Sequence, residues 1–206
     1  MKGHRILLLA NLLLLLPVPV RAADRPNVVI FLADDSGWGD YSINGNTNLR
    51  TPNIDSEFPR TPLSARDGVA HGGVKRSAGA PNCSYFVNWT NFDDEVTWDI
   101  SVATAGDYEV EILYTCPPAD AGSTIALEFN GHRVTGTVTP GWDPPLYTNQ
   151  DTVTRPRGES QMKEFRPLNL GVMRLERGRG LLTLRALQMA GKNVMDVRQV
   201  NLTLRK

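Results

Sequence analysis

The chain has 206 residues, 41% of them hydrophobic and 21% charged, and its 22 basic and 22 acidic side chains give a formal net charge of zero. That length holds one good domain plus a fragment, and without a basic arm or stripe nucleic acid is not an expected partner. The longest apolar run, near the N-terminus, is too short for a good transmembrane helix, so no stable membrane span is expected.

In chain order, Lys2, His4 and Arg5 precede the apolar stretch Ile6 to Leu16, and Val20-Arg21-Ala22 offers small residues for cleavage. This is the pattern of a signal peptide over residues 1–22, which implies a secreted or periplasmic protein. Val28 to Ala33 follows as an unbroken apolar run rich in β-branched residues. It reads as a strand buried on both faces, as in a parallel sheet. The run ends in two adjacent carboxylates, Asp34 and Asp35. Side by side they repel, and a hard divalent cation such as Ca²⁺ relieves the conflict. Gly37 and Gly39 then let the backbone turn tightly around an ion. Taken alone, such a pair more simply ends a strand and caps the next turn.

The flanking residues change that reading. Arg25-Pro-Asn-Val-Val-Ile-Phe-Leu-Ala-Asp-Asp-Ser-Gly-Trp-Gly-Asp40, then Asn48-Leu-Arg-Thr-Pro-Asn-Ile-Asp55, resembles the N-terminus of the sulfatases, in particular the arylsulfatase and N-acetylgalactosamine-6-sulfatase-like members of the alkaline phosphatase superfamily. The resemblance implies calcium as cofactor, with Asp34 and Asp35 as two of its ligands. It also implies a nucleophile motif of Cys or Ser, any residue, Pro, any residue, Arg, whose first residue becomes formylglycine. Cys83 is followed by Ser84-Tyr85-Phe86-Val87, and Cys116 by Pro117-Pro118-Ala119-Asp120, so neither fits. No catalytic residue can therefore be placed. Residues 23–55 read as a short α/β sulfatase N-terminal remnant joined to something else.

Tyr41 to Gly79 holds many Gly, Pro, Asn, Ser and Arg residues and little periodicity, so residues 56–80 read as a linker or loosely held loop. His71, in Gly-rich sequence, reads as a solvated loop histidine.

From Pro81 the character changes. Val96, Trp98, Ile100 and Val102 alternate with polar residues, and Tyr108, Val110, Ile112 and Tyr114 do the same after a turn at Ala105-Gly106-Asp107. Ile125, Leu127 and Phe129 form a third inward set that leads into Asn130-Gly131, a strong hairpin signal from which Val134 to Val138 returns. Phe165 to Leu175, then Leu182, Leu184 and Ala186, then Val194 to Leu204, supply the remaining strands. Short alternating strands without an amphipathic helix predict a mainly β fold over 81–206, an antiparallel jelly-roll-like β-sandwich.

The phrase Ile100-Ser-Val-Ala-Thr-Ala-Gly-Asp-Tyr-Glu-Val110, the strand end Asn130-Gly131 and the Leu-rich strand after Gly178-Arg-Gly180 resemble carbohydrate-binding modules of the jelly-roll type. That resemblance implies a polysaccharide, sulfated or not, as partner. Sugar faces stack on exposed aromatic rings. Trp98 keeps the inward phase of its strand and reads as core, and Trp89 is expected to pack too. Trp142 lies in the long loop Thr139-Pro-Gly-Trp-Asp-Pro-Pro-Leu-Tyr147, so Trp142, Asp143 and Tyr147 form the candidate carbohydrate-binding set. The alternative is that Trp142 folds back as a plug over one end of the sandwich. Arg155-Pro156-Arg157-Gly158 reads as a solvated loop or as a lure for anionic glycans.

Cys83 and Cys116 form either a disulfide, closing a loop of about thirty residues worth about 3 kcal/mol, or two buried thiols. Two function classes result: a truncated sulfatase that lacks its nucleophile, and an exported carbohydrate-binding β-sandwich without enzymatic activity.

Overall fold

The computed structural model describes residues 53–54, 60–80, 84–148, 155 and 158–205. They fold into two β-sheets that share one hydrophobic core. The strands are β1 (Asn53–Ile54), β2 (Arg60–Ser64), β3 (Val69–His71), β4 (Lys75–Arg76), β5 (Phe86–Val87), β6 (Glu95–Val102), β7 (Gly106–Thr115), β8 (Thr124–Phe129), β9 (His132–Thr137), β10 (Arg166–Leu175), β11 (Gly178–Gln188) and β12 (Asp196–Leu204). One sheet runs β1-β6-β11-β8-β9 with β3 also on β6; the other runs β10-β7-β12-β5-β4 with β2 also on β12. Every pairing is antiparallel except the short β1–β6 contact. The expected β-sandwich is therefore the fold of the described residues. Residues 23–52, which carry most of the proposed α/β remnant and both Asp34 and Asp35, lie outside them, as does the signal-peptide segment.

The alternation in the sequence sets which faces meet. Val96, Trp98, Ile100 and Val102 of β6 are each buried to 1% exposure or less, while Asp99 between them is exposed. Tyr108, Val110, Ile112 and Tyr114 of β7 do the same in the other sheet. Ile125, Leu127 and Phe129 of β8 join them, with Leu182 and Leu184 of β11 and Val197, Val200 and Leu202 of β12. Side chains of period two have no other way to leave water together than to line the space between two sheets. Trp89 and Trp98 are both core residues. The β8–β9 hairpin turns at Asn130-Gly131, whose φ values of 45° and 86° give the doubly positive turn that matches strand twist.

The stretch expected to be linker is not loose where it is described. β2 lies along β12 from Ser64↔Gln199 to Arg60↔Thr203, and β3 lies along β6 from Val69↔Thr97 to His71↔Glu95. Leu63, Ala65 and Val74 enter the core. Trp98 Nε1 donates to the Ser64 carbonyl at 2.9 Å. Pro62 stands exposed on an edge strand, where a missing N–H does least harm. His71 is exposed, as expected, but sits on β3 with Nε2 2.9 Å from Thr97 Oγ1.

Replacing Leu63 by Ala should therefore destabilise the chain by about 2–5 kcal/mol in denaturant unfolding, as a core position does. A true linker residue would change stability by no more than about 0.5 kcal/mol.

Candidate functional site

One end of the sandwich gathers the longer connections: Cys116 to Ser123 after β7, residues 138–148 after β9, residues 158–165 before β10, and residues 189–195 between β11 and β12. The chain is braced here by its own polar groups. A 3-10 turn, Pro118–Asp120, places the Asp120 carboxylate to accept from Lys192 N at 2.7 Å and Asn193 Nδ2 at 3.0 Å. Those bonds, Asn193 first and the Lys192 backbone next, hold the carboxyl below its ordinary value.

Trp142 is fixed from three sides. Its backbone exchanges hydrogen bonds with Cys116, at 2.6 and 2.7 Å. Beside it, a Cβ on Gly141 would meet Pro118 Cα at 2.4 Å, so only glycine allows the two segments so close. Its indole Nε1 donates to the Glu164 carbonyl at 3.1 Å. The Arg166 guanidinium lies over its ring, with Cζ 3.3 Å from the centroid. The ring is partly buried. It is thus neither a free platform nor a plug sealed into the core, but a pinned ring with a cation stacked on it. Sequence reasoning missed Arg166, because its partner lies far back in the connection that precedes β10 and no local spacing links them.

Asp143 is exposed, and its Oδ1 accepts from Lys163 Nζ at 2.8 Å. The same ammonium reaches Asp196 Oδ2 at 2.9 Å, and Thr115 Oγ1 donates to that oxygen at 3.3 Å. The Lys163 side chain keeps only 10% of its exposure. Burial works against its charge, but hydrogen bonds to Asp143 and Asp196 outweigh it and hold the ammonium above its ordinary value. Burial pushes the Asp196 carboxyl up, against the pull of Lys163. Lys163 therefore staples the Trp142 loop to the start of β12. Tyr147 is partly buried; its backbone N donates to Met162 O at 2.8 Å, and Gln161 Nε2 donates to its carbonyl. Beside this loop, Tyr85 and Phe165 meet edge to face at 5.1 Å, and Arg198 lies 5.9 Å from the Phe165 ring.

The structure thus places Trp142, Asp143 and Tyr147 along one braced loop, with Asp143 occupied by an ion pair. Cys116, beneath it, is a buried free thiol pushed up to about 11 by burial and then by the carboxylates of Asp120, Asp196 and Asp143. Cys83 lies outside the described residues. Among the described residues no group of three or more His, Cys, Asp or Glu side chains gathers as a metal site, and no helix is long and apolar enough to cross a membrane.

Partial segments of the chain are similar to known sulfatases. Over 66 residues it is 41% identical to human steryl-sulfatase, covering 31% of this chain and 9% of that protein. Over 34 residues it is 50% identical to mouse N-acetylgalactosamine-6-sulfatase, covering 16% and 6%. Over 62 residues it is 49% identical to human arylsulfatase D, covering 30% and 9%. The chain therefore spans less than a tenth of the length of these relatives. No protein-family model matches it. Among solved structures, the Cry4Aa toxin of Bacillus thuringiensis is 13% identical with a TM-score of 0.50, over 71% of this chain and 24% of that one, a likeness of fold alone. A mannanase of Podospora anserina bearing a family 35 carbohydrate-binding module (15% identical, 72% and 28% covered) and the C-terminal family 6 module of a laminarinase from Zobellia galactanivorans (10%, 70% and 98%) both reach 0.49.

Removing the staple by Lys163→Met should destabilise the fold by about 2–3 kcal/mol, short of the roughly 3–5 kcal/mol of a fully buried pair, since Asp196 keeps 26% of its side-chain exposure. Asp143→Asn should change stability by less than about 1 kcal/mol, as more exposed pairs do. Because the folded state holds the Lys163 proton more tightly than the unfolded chain does, the staple is fully present below the ordinary lysine value of 10.5 and fades as pH rises through the raised folded value. Thermal melts in that alkaline window should fall more for the wild type than for K163M.

Proposed function

We propose that the β-sandwich binds a polysaccharide at its loop end and carries out no chemistry of its own. In this reading it follows a signal peptide (1–22) and a sulfatase-derived beginning (23–55) in an exported chain. Trp142 is the observation that carries it. A partly exposed indole is held rigid by its backbone bridge to Cys116 and its bond to Glu164 O, so little freedom is lost when a sugar packs on its remaining surface. Tyr147 on the same loop adds a second aromatic. Asp143, which keeps a carboxylate oxygen besides the one facing Lys163, offers an acceptor to hydroxyl groups.

The partial likeness to sulfatases favours a second reading, a sulfuric ester hydrolase. The chain as written lacks the parts that reading needs. Neither cysteine heads the nucleophile motif. At a pKa of about 11, the Cys116 thiol stays protonated and inert at neutral pH. Asp34 and Asp35 would face calcium, yet two carboxylates from one strand end fall short of the roughly six to eight oxygens the ion takes. Nothing among the described residues completes the set. In this reading Asp34 and Asp35 alone do not make a working calcium site.

In affinity electrophoresis through polysaccharide gels, the chain should be retarded, and Trp142→Ala should weaken retention at least about tenfold while leaving the melting curve within a few degrees, the scale of one lost aromatic contact. Equal retention of both proteins would overturn the assignment of the site. With a chromogenic aryl sulfate, hydrolysis should stay at the level of the blank with or without added calcium; calcium-dependent turnover would restore the enzyme reading.

A further inference from the structure

We infer that the sugar bound at the loop end is anionic, and that the Arg166 guanidinium reads its sulfate or carboxylate group. This rests on the carbohydrate reading above and names its ligand class. Arg166 opens β10 and is exposed, with its guanidinium laid over the Trp142 ring at 3.3 Å. Stacking at that distance fixes the plane of the fork. A planar fork with a fixed plane presents its N–H donors edge-on, which suits bidentate capture of a sulfate or carboxylate. Among the described residues Arg166 has no ion pair and no side-chain hydrogen bond, only the ring beneath it. Other arginines of the fold are differently employed. Arg179 is bound to both oxygens of Asp99, and Arg60 to Glu111.

The neighbouring charges are arranged to leave this cation effective. The nearby carboxylates of Asp143 and Asp196 are drawn onto Lys163. Glu164, exposed, meets Trp142 through its backbone carbonyl. A second guanidinium stands at the same end of the sheet: Arg198 lies over Phe165, next to Val197, which faces Tyr114, which in turn faces Arg166 across β7. Each of these two arginines is set on an aromatic ring, Arg198 on Phe165 and Arg166 on the pinned indole.

The test is binding of the full chain to three soluble glycans, a sulfated galactan, a polyuronate and a neutral β-glucan, by calorimetry at low and moderate salt. The expected result is binding to one or both anionic glycans, weakened by salt, at least about tenfold above the neutral one. The two anionic arms separate sulfate from carboxylate as the group read. Arg166→Gln, which keeps a stem over the ring without charge, should lose that preference. R166K, which keeps charge without the fork, should lose most of it. Arg179→Ala should bind as the wild type does, and melting curves of all variants confirm folding. Trp142-dependent binding that is equal for neutral and anionic glycans, or unchanged in R166Q, would overturn this inference and leave the carbohydrate reading standing. Binding to none of the three, with the protein folded, would overturn both.

Discussion

The structure depends on two rows of side chains that leave water together. Val96, Trp98, Ile100 and Val102 on β6 and Tyr108, Val110, Ile112 and Tyr114 on β7 sit in different sheets, joined by a short turn, and line one core. Once those rows are committed, β11 and β12 must pair beside them to satisfy the backbone, and at one edge of each sheet the pairing ends in strands of five residues or fewer. What the sheets do not decide is the shape of the connections at the sandwich end. There the chain relies on polar braces: Asp120 for one loop, Lys163 with Asp143 and Asp196 for another, and the Cys116–Trp142 backbone bridge between them.

Those braces hold the candidate site residues still. The Trp142 indole has its N–H satisfied, its backbone paired and a guanidinium on its ring. Such a ring is a poor core residue and a good rigid contact. The thiol beneath it is buried and protonated, so the most chemically reactive atom type at this end of the fold is silent.

Much of the architecture was legible in the sequence because period-two alternation is a local signal. β6, β7 and β8, the Asn130-Gly131 hairpin and the inward phase of Trp98 follow from residues close together in the chain. Residues 56–80 read as linker because their strands are short and carry few apolar residues; Leu63, Ala65 and Val74 become core only once β12 and β6 exist to receive them. The candidate loop was found through its aromatic content, but its wiring was not. Lys163 meets partners 20 and 33 residues away, and Arg166, at the start of β10, meets a ring far back in the connection that leads into it. Tertiary pairs of that kind leave no pattern in a window of sequence. Asp143, read as a sugar contact, turned out to share its carboxylate with Lys163 for the same reason.

The central claim is that the pinned Trp142 is where a glycan meets this protein. Its most direct measurement is the indole N–H spectrum of the ¹⁵N-labelled chain during titration with a soluble polysaccharide fragment. The account predicts that the Trp142 Nε1 signal and the amides of residues 139–148 move together and saturate, while the signals of the buried Trp89 and Trp98 stay in place. A saturable shift confined to the outer faces of the sheets, with Trp142 unmoved, would contradict it.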